Sequence, residues 1–232
     1  MVVAVNRTTQ TLVVTVIGAF VLKICLEGAH VRFVKDWMFW PLLVCGTFLL
    51  VVPLLLAWAQ RRNQEEHHQH GVPAATWLML APVAVAFAIS PPALGSYVAE
   101  RSGGQTPQAS GVMAPLLDED PLPLTLGMFL SYADYDPDRS LADRRVLLEG
   151  FVSHREDGWS VSRITMSCCA ADAYALTVQV HADGPRPARD TWVQVIGTWV
   201  EPDPAQDPLT VVQAVRAERV SEIAEPPQPY EY

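Results

Sequence analysis

The chain has 232 residues, half of them hydrophobic, and a formal net charge of −9, which suits one large domain or two modest ones. From residue 103 onward it holds 9 basic and 20 acidic residues and no lysine, a surface that repels phosphate backbones and excludes nucleic acid as a partner. Its four cysteines do not make a disulfide scaffold, because two lie in apolar runs and two are neighbours.

The first apolar run, residues 9–26, is just long enough to cross a hydrocarbon core about 30 Å thick. Lys23 lies near its end, where a long stem can snorkel to the interface. Arg7 ahead of the run also suits a signal peptide. No small-x-small cleavage site precedes Lys23, however, and a second apolar run follows closely, so an uncleaved anchor is expected. The second run, residues 38–58, is uncharged and bounded by Trp37, Trp40 and Trp58, as interfacial aromatics require. The third, residues 74–89, is shorter and ends at Pro91-Pro92, which cannot continue a regular helix. Cys25 and Cys45 sit inside the first two runs and read as packing residues. Three crossings place the termini on opposite sides. Arg7 and the Arg61-Arg62 pair then favour a cytoplasmic N-terminus and an extracytoplasmic C-terminal domain at the cell membrane.

Between the second and third runs lies Glu65-Glu66-His67-His68-Gln69-His70. The imidazoles of His67, His68 and His70 are candidate metal ligands, although their spacing specifies no coordination number. A solvated, His-rich loop is the alternative.

Residues 99–121 form a Ser-, Gly- and Pro-rich linker ending in the acids Asp118-Glu119-Asp120. A short helix is expected near 124–130. Five strand candidates follow, at 146–153, 159–168, 176–181, 192–200 and 209–215, separated by Gly, Pro and Asp turns. Gly150 and Gly197 suit sharply coiled strands. The expected architecture is therefore a three-helix transmembrane region (1–98), a linker (99–121) and a small all-β, OB-like barrel domain (122–232).

The chemistry is expected at Ser167-Cys168-Cys169-Ala170-Ala171-Asp172-Ala173. Adjacent thiols there can bind a soft metal, cycle through a disulfide, or fill a core. Neighbouring side chains of a regular strand point to opposite faces. Cys168 and Cys169 can therefore grip one ion only if the chain turns, with Asp172 and either His154 or His181 completing the site. Zinc or another soft divalent metal is the implied cofactor. No Cys-x-x-Cys pair, hydrolase triad, phosphate loop or dinucleotide fingerprint is present, so no catalytic residue is assigned and an enzyme is not expected.

The chain resembles the YcgQ-like bacterial membrane proteins, a family labelled as permease subunits. The resemblance runs through His30-Val31-Arg32-Phe33-Val34-Lys35 and the His-rich loop. It continues through Pro91-Pro92-Ala93-Leu94-Gly95-Ser96-Tyr97-Val98-Ala99, the Cys-Cys-Ala-Ala-Asp run and Asp190-Thr191-Trp192-Val193-Gln194-Val195-Ile196-Gly197-Thr198. It implies an integral membrane accessory subunit working beside a larger multi-helix permease, with the outer β domain handling a metal or other cargo. A thiol-dependent redox or metal carrier, or a structural anchor without ligand, are the competing readings.

Overall fold

The computed structural model describes residues 4–5, 7–62, 72–73, 85, 94–101, 115–155, 158–203 and 211–231. The chain divides into two compact units, Met1–Pro92 and Ala93–Tyr232.

In the first unit, helix α1 (Arg7–Leu26) and helix α2 (Phe39–Arg62) are joined by two 3-10 turns, Ala29–Arg32 and Asp36–Met38. Gly28, at φ 71°, adopts the left-handed conformation that ends a helix most readily. Lys23 pairs with Glu27 one turn later, at 2.6 Å. The helices run antiparallel and nearly touch at their backbones. A Cβ on Gly18 would lie 2.8 Å from the Leu50 amide nitrogen, and one on Gly46 would lie 3.1 Å from Val21 Cγ1. Small residues at such a crossing let backbones approach closely, as in membrane-embedded helix pairs. A two-residue strand β1 (Ala4–Val5) pairs antiparallel with β2 (Val72–Pro73).

The segment Asp36–Ala59 spans 24 residues with mean hydropathy 2.5, a rise of about 36 Å that exceeds the bilayer core. Its apolar side chains face outward: Trp40 is 67% exposed, Val44 66% and Phe48 62%. Pro53 inside it removes one helical donor, a break tolerated where neighbouring groups re-satisfy the backbone.

In the second unit, a four-residue helix α3 (Ser96–Ala99) and a ten-residue helix α4 (Leu126–Tyr135) accompany a mixed sheet of seven strands. The strands are β3 (Leu122–Pro123), β4 (Arg145–Arg155), β5 (Gly158–Thr165), β6 (Tyr174–His181), β7 (Trp192–Val200), β8 (Ala214–Glu222) and β9 (Tyr230–Glu231). Their order is β3-β4-β7-β8-β6-β5-β9, and β4 also pairs with β5, bringing the sheet round on itself. The pairings β3–β4, β6–β8 and β5–β9 are parallel and the rest antiparallel. Close strand contact demands glycine at two places. A Cβ on Gly150 would overlap the Ser162 carbonyl, and one on Gly197 would lie 2.9 Å from Ala217 Cα.

Helix α4 is capped by Thr125, whose Oγ1 accepts from the Met128 amide at 3.1 Å. Glu231 accepts from the Leu126 and Gly127 amides at 3.0 and 2.6 Å, placing negative charge at the positive end of the helix dipole. Leu126, Phe129 and Leu130 of α4 join Leu148, Val152, Val161, Val178 and Val195 in the main core. A second cluster gathers Ala99, Phe151, Ile164, Met166, Ala175 and Tyr230. Because β5 and β6 are covered on both faces, their middles are continuously buried. Ser162 and Thr177 there join Ser153 of β4 in a chain: Ser153 Oγ lies 2.7 Å from Ser162 Oγ, which lies 3.3 Å from Thr177 Oγ1, whereas Ser160 Oγ is buried without a partner among the described residues.

These observations correct the expected architecture. Among the described residues, one helix rather than three is long and apolar enough to cross a membrane. The apolar part of α1, Thr11–Leu26, falls short of that length. The third apolar run, 74–89, lies outside the described residues apart from Val85. The all-β barrel of five strands is replaced by a seven-stranded mixed sheet with α3 and α4 in the same unit. The two extra strands are two residues long, held by parallel pairing to distant parts of the chain, and so carry no alternation of their own.

Candidate metal centre

The site lies where β5 ends and the chain turns back into β6. Met166 is buried and anchors the start of the turn. The backbone then bends at Ser167 and Cys168 and winds through a 3-10 turn, Ala170–Asp172, before β6 begins at Tyr174. Asp172 closes this loop. Its Oδ1 accepts from the Ser167 amide and its Oδ2 from the Cys168 amide, both at 2.9 Å, while its own amide donates to the Cys169 carbonyl at 3.0 Å. A short carboxylate that satisfies upstream amides is the ordinary way an Asp fixes a turn.

Because the cysteines sit in this turn rather than in a regular strand, their side chains do not diverge. Cys168 Sγ and Cys169 Sγ are 3.5 Å apart. One donor atom each from Cys168, Cys169 and Asp172 all fall within 4.8 Å of one another, a group that can hold a metal ion. Cys168 and Asp172 are exposed and Cys169 is half-buried. The Asp172 carboxylate, hydrogen-bonded to the Cys168 thiol, pushes that thiol up to about 11, and Cys169 adds to the effect. The same bond, with the backbone amides, holds the Asp172 carboxyl below its ordinary value. Without a metal, Cys168 is therefore a protonated, weakly nucleophilic thiol at neutral pH.

The structure does not bring either proposed histidine to this group. His154 sits opposite Trp159 in the β4–β5 ladder, and its Nε2 lies 2.8 Å from the Pro187 carbonyl. His181 follows Val180, which pairs with the same Trp159. Both are thus at the start of β5, about 20 Å along the strand from the cysteines. The histidines His67, His68 and His70 lie outside the described residues. What the sequence reading missed is the second duty of Asp172, holding the Ser167 and Cys168 amides. The signal for it was an Asp four and five residues downstream of two amides in a turn.

The fold and site define a class: a chain with a membrane-capable helix in its first unit and, in its second, a mixed sheet bearing an exposed dithiol–carboxylate cluster. The model of the DUF1980 C-terminal domain matches residues 113–232, and the chain belongs to that family. No curated protein and no solved structure matches it.

Proposed function

We propose that the protein is a membrane-anchored accessory subunit that captures a soft divalent metal ion, zinc or a close relative, at Cys168, Cys169 and Asp172, and works beside a separate multi-helix permease. The observation that carries this reading is the pair of sulfurs 3.5 Å apart next to a carboxylate fixed by the loop itself. Thiolate with carboxylate is a donor set that suits zinc. Exposure of Cys168 and Asp172 suits capture and release rather than a closed structural site.

The anchor is the α1–α2 hairpin, with α2 crossing the bilayer and α1 held against it at Gly18 and Gly46. Neither helix carries a carboxylate or histidine between Thr11 and Ala59 except in the connection around Glu27, His30 and Asp36. Transport paths place such groups at mid-membrane depth, which supports a separate permease as the conducting partner. That partnership and the permease-subunit label of the YcgQ-like proteins stand together.

The test is metal analysis and thiol titration of the full-length protein purified from membranes. One equivalent of zinc is expected, with two thiols protected from alkylation until a chelator is added. The Cys168→Ser/Cys169→Ser variant should lose that equivalent. Retention of the metal by the variant would sink the assignment of the site. Purification under mild detergent should bring down a polytopic membrane protein. Metal flux by this chain alone in liposomes would overturn the accessory role.

A further inference from the structure

Resting on the metal-capture reading above, we infer that the Cys168–Cys169–Asp172 group is a handover site: it holds a divalent ion at near-tetrahedral angles and leaves a fourth position open to a thiolate or imidazole of the molecule that delivers or takes the ion.

The first part follows from the sulfur separation. With metal–sulfur bonds of about 2.3 Å, sulfurs 3.5 Å apart subtend roughly 100° at the ion. That angle is close to tetrahedral. A linear two-coordinate ion with bonds of that length would need the sulfurs about 4.6 Å apart. Asp172 keeps the bite from opening, because its oxygens tie down the Ser167 and Cys168 amides just before the first thiol and its own amide holds the Cys169 carbonyl just after the second. The loop is thus pre-set for an ion of tetrahedral preference.

The second part follows from donor count and exposure. Among the described residues the group stops at three donors, and two of the three side chains stand in solvent. Three protein ligands with an open fourth position is the pattern of zinc sites that exchange ligands, whereas structural zinc is closed by four. Asp172 is also divided between the ion and two amides, so it is the weakest of the three donors. In handover, an incoming thiolate or imidazole displaces water from the fourth position. Each site ligand that then leaves is replaced by a further donor from the acceptor, and each departing thiolate takes up a proton from solvent. The balance needs no oxidant or reductant.

Cobalt(II) reports both parts in one titration of the full-length protein in detergent, in a Cys25→Ala/Cys45→Ala background so that any thiolate signal belongs to this loop. The expected result is an intense tetrahedral visible band with near-ultraviolet thiolate-to-cobalt charge transfer. Added imidazole should shift the visible band while charge transfer persists. Asp172→Asn should also shift the visible band while charge transfer persists, and Cys168→Ser/Cys169→Ser should abolish charge transfer. A tetrahedral spectrum that imidazole leaves unchanged would show a closed site and overturn the handover inference, with the capture reading intact. A weak, octahedral visible spectrum with charge transfer present would overturn the tetrahedral geometry. Absence of charge transfer in the parent would instead remove the capture reading itself.

Discussion

The two units use similar apolar side chains in opposite ways. In the sheet unit Leu126, Phe129, Leu148, Val152, Val161 and Val178 are between 0% and 2% exposed. In α2, Val44, Phe48, Leu55 and Leu56 are each more than half exposed. The sheet unit hides its hydrophobic surface inside itself, whereas α2 offers its own outward, as a helix solvated by lipid does. What holds each unit together differs accordingly. The sheet unit depends on a jigsaw of side chains around a closed hydrogen-bond ladder. The hairpin depends on how closely two backbones approach at Gly18 and Gly46.

The largest expected effect breaks the sheet unit alone. Gly150→Val places its Cβ against the Ser162 carbonyl and within 2.9 Å of Val161 Cγ2, where backbone and core cannot give way. A loss of at least about 3 kcal/mol is expected. It would be read as a lowered unfolding midpoint and protease sensitivity of the second unit, while the helical signal of the α1–α2 hairpin is unchanged. Gly18→Leu is the matching change in the hairpin. Its Cβ would meet Leu50 N and Leu49 C at 2.8 and 2.9 Å, and about 1–3 kcal/mol of helix packing should be lost. A helical signal in detergent that melts at lower temperature is the readout, and an unchanged melt would remove the close crossing.

A subtler effect, on the order of 1 kcal/mol, belongs to Asp134 at the end of α4. Its Oδ1 accepts from Gln213 Nε2 at 2.7 Å, and Gln213 Oε1 in turn accepts from Trp199 Nε1 at 2.9 Å. Its Oδ2 is buried without a partner among the described residues. Burial raises this carboxyl above its ordinary 3.8, against the opposing Gln213 bond. A carboxyl raised in the folded state favours folding fully below 3.8 and loses that contribution as pH rises through its folded value. Asp134→Asn keeps the Oδ1 acceptor and removes the charge. The variant should therefore unfold at a higher temperature than the parent at pH 7, and the gap should close below about pH 4. A gap that is constant with pH would show that ionisation is not its cause.

How much of this was legible in the sequence depended on whether the signal was local. The α2 run was readable because Trp37, Trp40 and Trp58 bracket an uncharged stretch, and all three are more than half exposed. The strand at 192–200 coincides with β7, and those expected at 146–153 and 176–181 fall within β4 and β6. The fifth was misplaced. The apolar Leu209-Thr210-Val211-Val212 suggested a strand at 209–215, whereas β8 is Ala214–Glu222, rich in Arg and Glu. Its polar side chains alternate with Val215, Ala217 and Val220, which pack on the core, and pairing to both β6 and β7 selects it. Tertiary pairing outweighs a local apolar run. The thiols were readable as a pair, but which residue completes them was not. His154 and His181 suit the chemistry but lie far from the thiols, because both flank Trp159 near the start of β5 and the thiols follow its other end.

The smallest change in stability is expected at Asp172, where the consequence is chemical instead. Asp172→Asn retains an oxygen that can still accept from one of the two loop amides, so the turn should persist and the unfolding midpoint should not move measurably. The hydrogen bond to the Asp172 carboxylate, however, is the first cause of the raised Cys168 thiol, which stands at about 11 against an ordinary 9.0, and the carboxylate charge adds to it. Removing the carboxylate draws the thiol back toward the ordinary range, and the thiolate fraction at pH 8 rises with it. Intrinsic nucleophilicity falls as a thiol becomes more acidic, which offsets part of the gain and leaves a rise in alkylation rate of no more than about tenfold. The measurement is the pH dependence of iodoacetamide labelling at Cys168 in metal-free protein, with Cys25, Cys45 and Cys169 replaced by serine or alanine. Because Cys169 also raises the Cys168 thiol, its replacement lowers the starting value in parent and variant alike, and the Asp172 effect is the remaining difference. Equal labelling profiles with and without the carboxylate would mean that Asp172 does not hold the Cys168 proton, and the loop would then be fixed by its backbone bonds alone.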